Sequence, residues 1–170
     1  GAALQDILDR LSQATGESVA VAMLDADEAL YIAHRTSTQS MRQFTQVGNR
    51  VCLHATGVGK VLLASMDSEH RTFLLHHMKL PVFPSHTLAN RGELQAEIEQ
   101  IASHGYAIDN EEQELGVRCM AMGIPGNSLF AASVSGPPSR MNAEHMTHVI
   151  LPALMSAAEE IAATLTVTQA

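Results

Sequence analysis

His54-Ala55-Thr56-Gly57-Val58-Gly59-Lys60-Val61-Leu62-Leu63-Ala64 divides the chain into two parts of different character. Thr56-Gly57-Val58-Gly59 is turn chemistry and runs straight into an apolar segment, so Thr56 or Gly57 reads as the cap of a helix whose first-turn N–H groups are left open. Upstream, residues 18–24 and 29–34 are short strand-like runs separated by the polar turn Asp25-Ala26-Asp27-Glu28, which predicts a hairpin. A third strand is expected near residues 41–45, followed over 47–54 by an irregular, glycine-containing loop that feeds a pocket. Before these lies an amphipathic helix with Leu4, Ile7, Leu8 and Leu11 on one face, closed by Gly16. Downstream, a helix over 67–77 turns Leu74 and Leu75 inward, and another starts after Asn90, carries Leu94, Ile98 and Ile101, and stops at Gly105. Strands follow at 106–109, 117–124 and 129–135, the last two joined by the turn Pro125-Gly126-Asn127-Ser128. A long helix over 142–165, bent at Pro152, closes the chain beside the first one.

The order is one helix, three strands, three helices, three strands and a final helix. It predicts an α+β fold in which an antiparallel sheet of about six strands is flanked by helices, the arrangement of GAF- and PAS-like sensors. At 170 residues, 46% hydrophobic and 16% charged, the chain fits a single globular domain over 1–170. Ten Lys and Arg against 18 Asp and Glu leave a net charge of −8, and the basic residues are scattered, so this chain by itself is not expected to grip nucleic acid. No apolar run approaches the roughly 20 residues of a membrane span and no secretory signal is evident, which predicts a cytoplasmic protein with no membrane partner. Cys52 and Cys119 are expected to be reduced. Cys52, His54 and Cys119 are the best metal-ligand set among two cysteines and nine histidines, but no second ligand pair accompanies them, so neither a metal nor a cofactor is expected.

Three blocks carry a resemblance. His54–Ala64 resembles the HATxxGKxLLA block of the IclR family of bacterial transcription regulators; Gly105-Tyr106-Ala107-Ile108-Asp109-Asn110-Glu111-Glu112 with Gly116-Val117-Arg118-Cys119-Met120-Ala121 resembles its GYAxDxEExxxGxxCxA signature; and Ser133-Val134-Ser135-Gly136-Pro137 resembles its SxSGP strand end. The blocks run in order over essentially the whole chain, and they correspond to that family's C-terminal effector-binding domain. The family's N-terminal winged helix-turn-helix DNA reader is absent from this sequence, which therefore resembles a piece of a longer protein, with Gly1 read as a cloning remnant. The resemblance implies a GAF-like, non-catalytic domain that binds a small organic acid and thereby modulates DNA binding by the attached reader. It also implies a homodimer or homotetramer, with operator DNA as a partner only through the missing domain.

The residues themselves support a carboxylate site without proving one. The Gly57 and Val58 amides would stand at a helix start, where unpaired N–H groups and the dipole favour an anion; the same turn also reads simply as a cap. Ser133 and Ser135 lie two apart on one strand and project from one face, where they meet either a ligand or nearby backbone. Cys119 offers a weak donor or is a buried small hydrophobe. Asp109 would repel an anion unless it accepts a ligand hydroxyl or is protonated, which points to a ligand with a hydroxyl or hydrated carbonyl. Glu111, Glu112 and Glu114 read as a solvated acidic face. Serines at these positions match the branch of the family that senses small 2-oxo acids, so glyoxylate, pyruvate or a sugar acid is the expected effector. A cysteine-dependent GAF-like enzyme using Cys119 with His54, and a pure oligomerisation module, remain as alternatives.

Overall fold

In the computed structural model residues 1–39, 46–83, 87 and 90–169 are described. Helix α1 (Ala2–Thr15) ends on Gly16, whose φ of 76° lets its N–H reach back to the Ser12 carbonyl. Strands β1 (Ser18–Asp25) and β2 (Glu28–Arg35) form the expected hairpin, with Asp25 paired to Glu28 across a two-residue turn. The strand expected at 41–45 lies outside the described residues. The sheet continues instead with β3 (Arg50–Cys52), inside the stretch read as an irregular loop. Only three residues pair there, too few for a period to show.

Helix α2 (Gly57–Ser65) is capped by Thr56, whose Oγ accepts from the Gly59 N–H at 3.1 Å. Asp67 and Asn90 cap α3 (Ser68–His77) and α4 (Arg91–His104) in the same way, and Gly105 closes α4 in the left-handed conformation. Strands β4 (Tyr106–Asn110), β5 (Arg118–Ile124) and β6 (Asn127–Gly136) complete one six-stranded antiparallel sheet in the order β3-β2-β1-β6-β5-β4. Pro125 and Gly126, the latter at φ 75°, make the tight β5–β6 turn.

The chain then rises through α5 (Ala143–His145), a π-helical turn over Met146–Ile150 and α6 (Leu151–Gln169). Pro152 cannot donate to the carbonyl four residues before it, and the backbone meets the expected bend by widening the turn just upstream, where Leu151 N–H bonds to Met146 O. Ala143–Thr166 is long and apolar enough to cross a membrane by length and composition, contrary to the expectation that no run approaches that length. Here its inner face packs on the sheet and α1 through Ile150, Leu154, Ala157, Ala158 and Ile161.

The sheet thus has two covered faces. Ile7, Leu8 and Leu11 of α1 and the inner residues of α6 cover Val19, Val21, Met120, Ala132 and Val134. Val58, Val61 and Leu62 of α2, with Leu94, Ile98 and Ile101 of α4, cover Ala22, Ala107, Ala121 and Ala131. The alanines on this second face let α2 lie close to the sheet. That closeness brings its N-terminus against the strands. Just before β1, Glu17, 1% exposed, accepts two guanidinium hydrogen bonds from Arg140 at 2.7 and 2.8 Å. Gly136 lies against that carboxylate, 2.7 Å from Glu17 Oε1 to where a Cβ would stand, which accounts for a glycine there.

Candidate functional site

Register puts Asp109, Cys119 and Ser135 in one row across β4, β5 and β6, all on the α2 face of the sheet, with Ser18 of β1 next in line. The first residue of α2 meets this row. A Cβ on Gly57 would sit 3.1 Å from Cys119 Sγ and 3.1 Å from Ala121 Cβ, so the helix start lies close on the strands and a larger residue there would have to push these side chains back by a few tenths of an ångström. Between them is a cavity of about 300 Å³ lined by Tyr31, Asn49, Arg50, Val51, Thr56, Gly57, Asp109, Gln113, Glu114, Val117, Cys119 and Ser135.

Of the six residues expected from sequence, Gly57, Asp109, Cys119 and Ser135 line this cavity. Val58 does not: its side chain is 1% exposed in the core, so only its backbone N–H, in the first turn of α2 and without an intrahelical acceptor, is relevant to a ligand. Ser133 does not line it either. It pairs with Ala121 one row further along β6 and is 1% exposed. The two serines share a face as expected, but only Ser135 reaches the cavity wall.

Burial sets the chemistry of the floor. It pushes the Asp109 carboxyl up to about 7, with the Glu112 N–H, donating to Asp109 Oδ1 at 2.8 Å, pulling the other way. Near neutral pH Asp109 is therefore held between its acid and its carboxylate, the condition under which it can share a cavity with an anion. Burial pushes the Cys119 thiol up to about 12, the Asp109 charge adding to it and the two serine hydroxyls opposing it. Such a thiol stays protonated and is a poor nucleophile. His54 is engaged elsewhere: its Nε2 donates to the Pro81 carbonyl at 2.8 Å and its ring stacks on Phe83. Among the described residues no group of three or more His, Cys, Asp or Glu is placed to hold a metal.

Several wall residues were not singled out in the sequence. Tyr31 of β2 presents its phenol to the floor, and burial, then the charges of Cys119, Asp109 and Cys52, hold its proton on. Asn49 and Arg50 come from the stretch that was read as feeding a pocket; Arg50 also pairs with Asp25. Glu112 corrects the reading of a solvated acidic face. It is 6% exposed and bonds the ammonium of Lys60 at 2.5 Å, while Glu114 is exposed at the rim. A buried carboxylate needs a cation, and Lys60 was the one in the quoted block.

Over residues 2–163 the sequence matches the family described as bacterial transcriptional regulator IclR, C-terminal, and the chain belongs to that family. The HTH-type transcriptional regulator BhcR of Paracoccus denitrificans is 35% identical over 158 residues, 91% of this chain and 56% of BhcR. The chain thus spans about half the length of that relative. The crystal structure of IclR from Thermotoga maritima superposes with a TM-score of 0.89 at 29% identity, covering 96% of this chain and 67% of that one. A double mutant of the inducer-binding domain of the PobR transcription factor from Acinetobacter, in complex with 3-hydroxybenzoic acid, gives a TM-score of 0.85 at 24% identity over 95% and 96% of the two chains, a likeness of fold. The six-stranded antiparallel sheet with its helices is the α+β, GAF/PAS-like arrangement of these C-terminal domains.

Proposed function

We propose that this chain is the ligand-sensing domain of an IclR-type transcription regulator and that the cavity at the start of α2 binds a small organic acid. The observation that carries the reading is the convergence of Gly57, at the start of α2, with Asp109, Cys119 and Ser135 on one cavity. In it the carboxylate accepts from the two amides and the Ser135 hydroxyl, with the dipole end of α2 favouring the charge. Cys119 and Tyr31 supply further donors. Asp109 faces a hydroxyl or hydrated carbonyl, as acceptor when ionised and donor when protonated.

At about 300 Å³ the cavity is at the small end of ligand pockets, and its floor is polar, which favours glyoxylate, pyruvate or a sugar acid. The Acinetobacter neighbour holds an aromatic hydroxy acid in the same fold, so hydroxybenzoates belong in the comparison. The rest of the protein is proposed to carry the winged helix-turn-helix reader, to act in the cytoplasm as a homodimer or homotetramer, and to respond because the acid has different affinities for two subunit arrangements. The protonated Cys119 thiol supports sensing over catalysis.

Thermal unfolding with glyoxylate, pyruvate, lactate, sugar acids, 4-hydroxybenzoate and protocatechuate, at matched pH and ionic strength, tests this. An acid at about 100 times its dissociation constant stabilises the domain by about 2.7 kcal/mol. Ser135→Ala loses most of that gain and Ser133→Ala, whose hydroxyl is off the wall, retains it. Equal stabilisation of both variants and the parent would remove Ser135 from the site.

A further inference from the structure

Lys60 does not itself line the cavity, yet its side chain is bonded to the elements that form it. Its side chain is fully buried, and its three N–H groups are all used: one on Glu112 Oε2 at 2.5 Å, one on Glu97 Oε1 of α4 at 2.6 Å, and one on the Ile108 carbonyl at 2.8 Å. Burial alone would push the ammonium down, but the charges of Glu112 and Glu97 outweigh it and keep Lys60 charged. Glu112 begins the segment from which Gln113, Glu114 and Val117 reach the cavity, and its own N–H holds Asp109 Oδ1. The Glu112 carbonyl in turn accepts from the Thr87 hydroxyl, which ties the α3–α4 connection to the same point. One ammonium therefore joins α2, α4, β4 and the loop over the cavity.

We propose that Lys60 is a positioning residue of the cavity, acting through Glu112: it fixes the loop that walls the cavity and the charge that Asp109 presents to a ligand. This rests on the cavity being the ligand site. A buried ion pair such as Lys60–Glu112, with the half-buried Glu97 beside it, is a poor source of stability beside an apolar packing of the same volume, which makes a role in specifying geometry and charge the better account of it. Asp109 is faced by Glu112 from the loop, Lys60 from α2, Glu97 from α4, Cys119 from β5, Tyr31 from β2, and Cys52 and Arg50 from β3, with Glu114 at the rim. Within this set the carboxylate of Glu112 and the ammonium of Lys60 are tied most directly to Asp109, and they act on its proton in opposite directions. An anion entering the cavity then takes up a proton at Asp109, at a pH that the Lys60–Glu112 pair sets.

The test is the carboxyl ¹³C titration of Asp109 in the ligand-free domain, assigned by its loss in Asp109→Asn. Its midpoint is expected near 7 in the parent. In Glu112→Gln, which keeps the backbone N–H and an acceptor for Lys60 but removes the negative charge, the midpoint falls by about one pH unit. Lys60→Met moves it the other way. Pyruvate binding followed by calorimetry in two buffers of different ionisation enthalpy then shows proton uptake in the parent. Affinity falls about tenfold per pH unit above the Asp109 midpoint, and that break is displaced downward in Glu112→Gln. An unmoved midpoint in Glu112→Gln, or pyruvate binding with no proton uptake, overturns the proposal. A midpoint that moves as described while neither pyruvate nor glyoxylate binds upholds the role of Lys60 and counts against the ligand reading instead.

Discussion

Gly59→Ala lowers the stability of the domain by about 3 kcal/mol or more, and urea unfolding of the purified variant shows it as a lower midpoint at unchanged slope. A Cβ at this position would stand 2.4 Å from Leu53 Cα, 2.6 Å from the Leu53 carbonyl oxygen and 2.6 Å from Thr56 Oγ1. Two of these are backbone atoms and the third is the cap of α2, so no side chain can rotate out of the way. The strain must be met by lifting α2 off the β3–α2 connection, which also opens the cavity. Gly105→Ala gives the contrast: a φ of 87° makes the backbone unfavourable, but nothing lies within 4 Å, so about 1 kcal/mol is expected. Equal costs at the two positions would show that α2 does not sit as close to Leu53 as described.

Lys60→Met has the second large effect. Removing the ammonium leaves the Glu112 carboxylate, 6% exposed, without its cation, and the Ile108 carbonyl without its donor. Breaking a buried ion pair from one side costs about 3–5 kcal/mol. The pH dependence carries the sign. Burial already pushes the Glu112 carboxyl up and Lys60 pulls it back, so without Lys60 its folded-state value rises further above the unfolded one. The variant's deficit is then full at pH values above that raised value and shrinks as pH falls through it. Lys60 in the parent stays charged across this range, because its own value is raised, not lowered. Denaturant unfolding of parent and variant between about pH 5 and 8 should therefore converge on the acid side. A deficit that grows on acidification would mean that Glu112 is not the group left exposed.

What could be read from the sequence were the features written in local chemistry. Gly16 and Gly105 after helices, Asn90 before one, and Thr56 ahead of Gly57 each state a helix end in one or two residues, and the structure places the ends there. Alternating strands joined by Asp25–Glu28 and Pro125-Gly126 were legible for the same reason. Features that depend on distant partners were not. Strand β3 is three residues long and owes its conformation to pairing with β2. Glu112 looked like its neighbours Glu111 and Glu114, and only the arrival of Lys60 from 52 positions earlier makes it a buried ion. Tyr31 and Arg50 reach the cavity because β2 and β3 curl to meet β4 and β5 around α2, a juxtaposition no spacing rule contains. Ser133 and Ser135 show the limit of period-two reasoning: it set their common face correctly, but not which of the two lines the cavity.

The most direct measurement of the central claim is a titration of the ¹⁵N-labelled domain with glyoxylate, pyruvate and a sugar acid, following amide positions in the ¹H–¹⁵N spectrum. Saturable shifts are expected, largest at Gly57 and Val58 and extending to Asp109, Cys119 and Ser135, with a second, apolar cavity of about 420 Å³ near His104, Tyr106 and Met155 unaffected. Saturable binding with its largest shifts at Tyr106, Met122 and Met155, or no shift at Gly57 and Val58 with any of these acids, would contradict it.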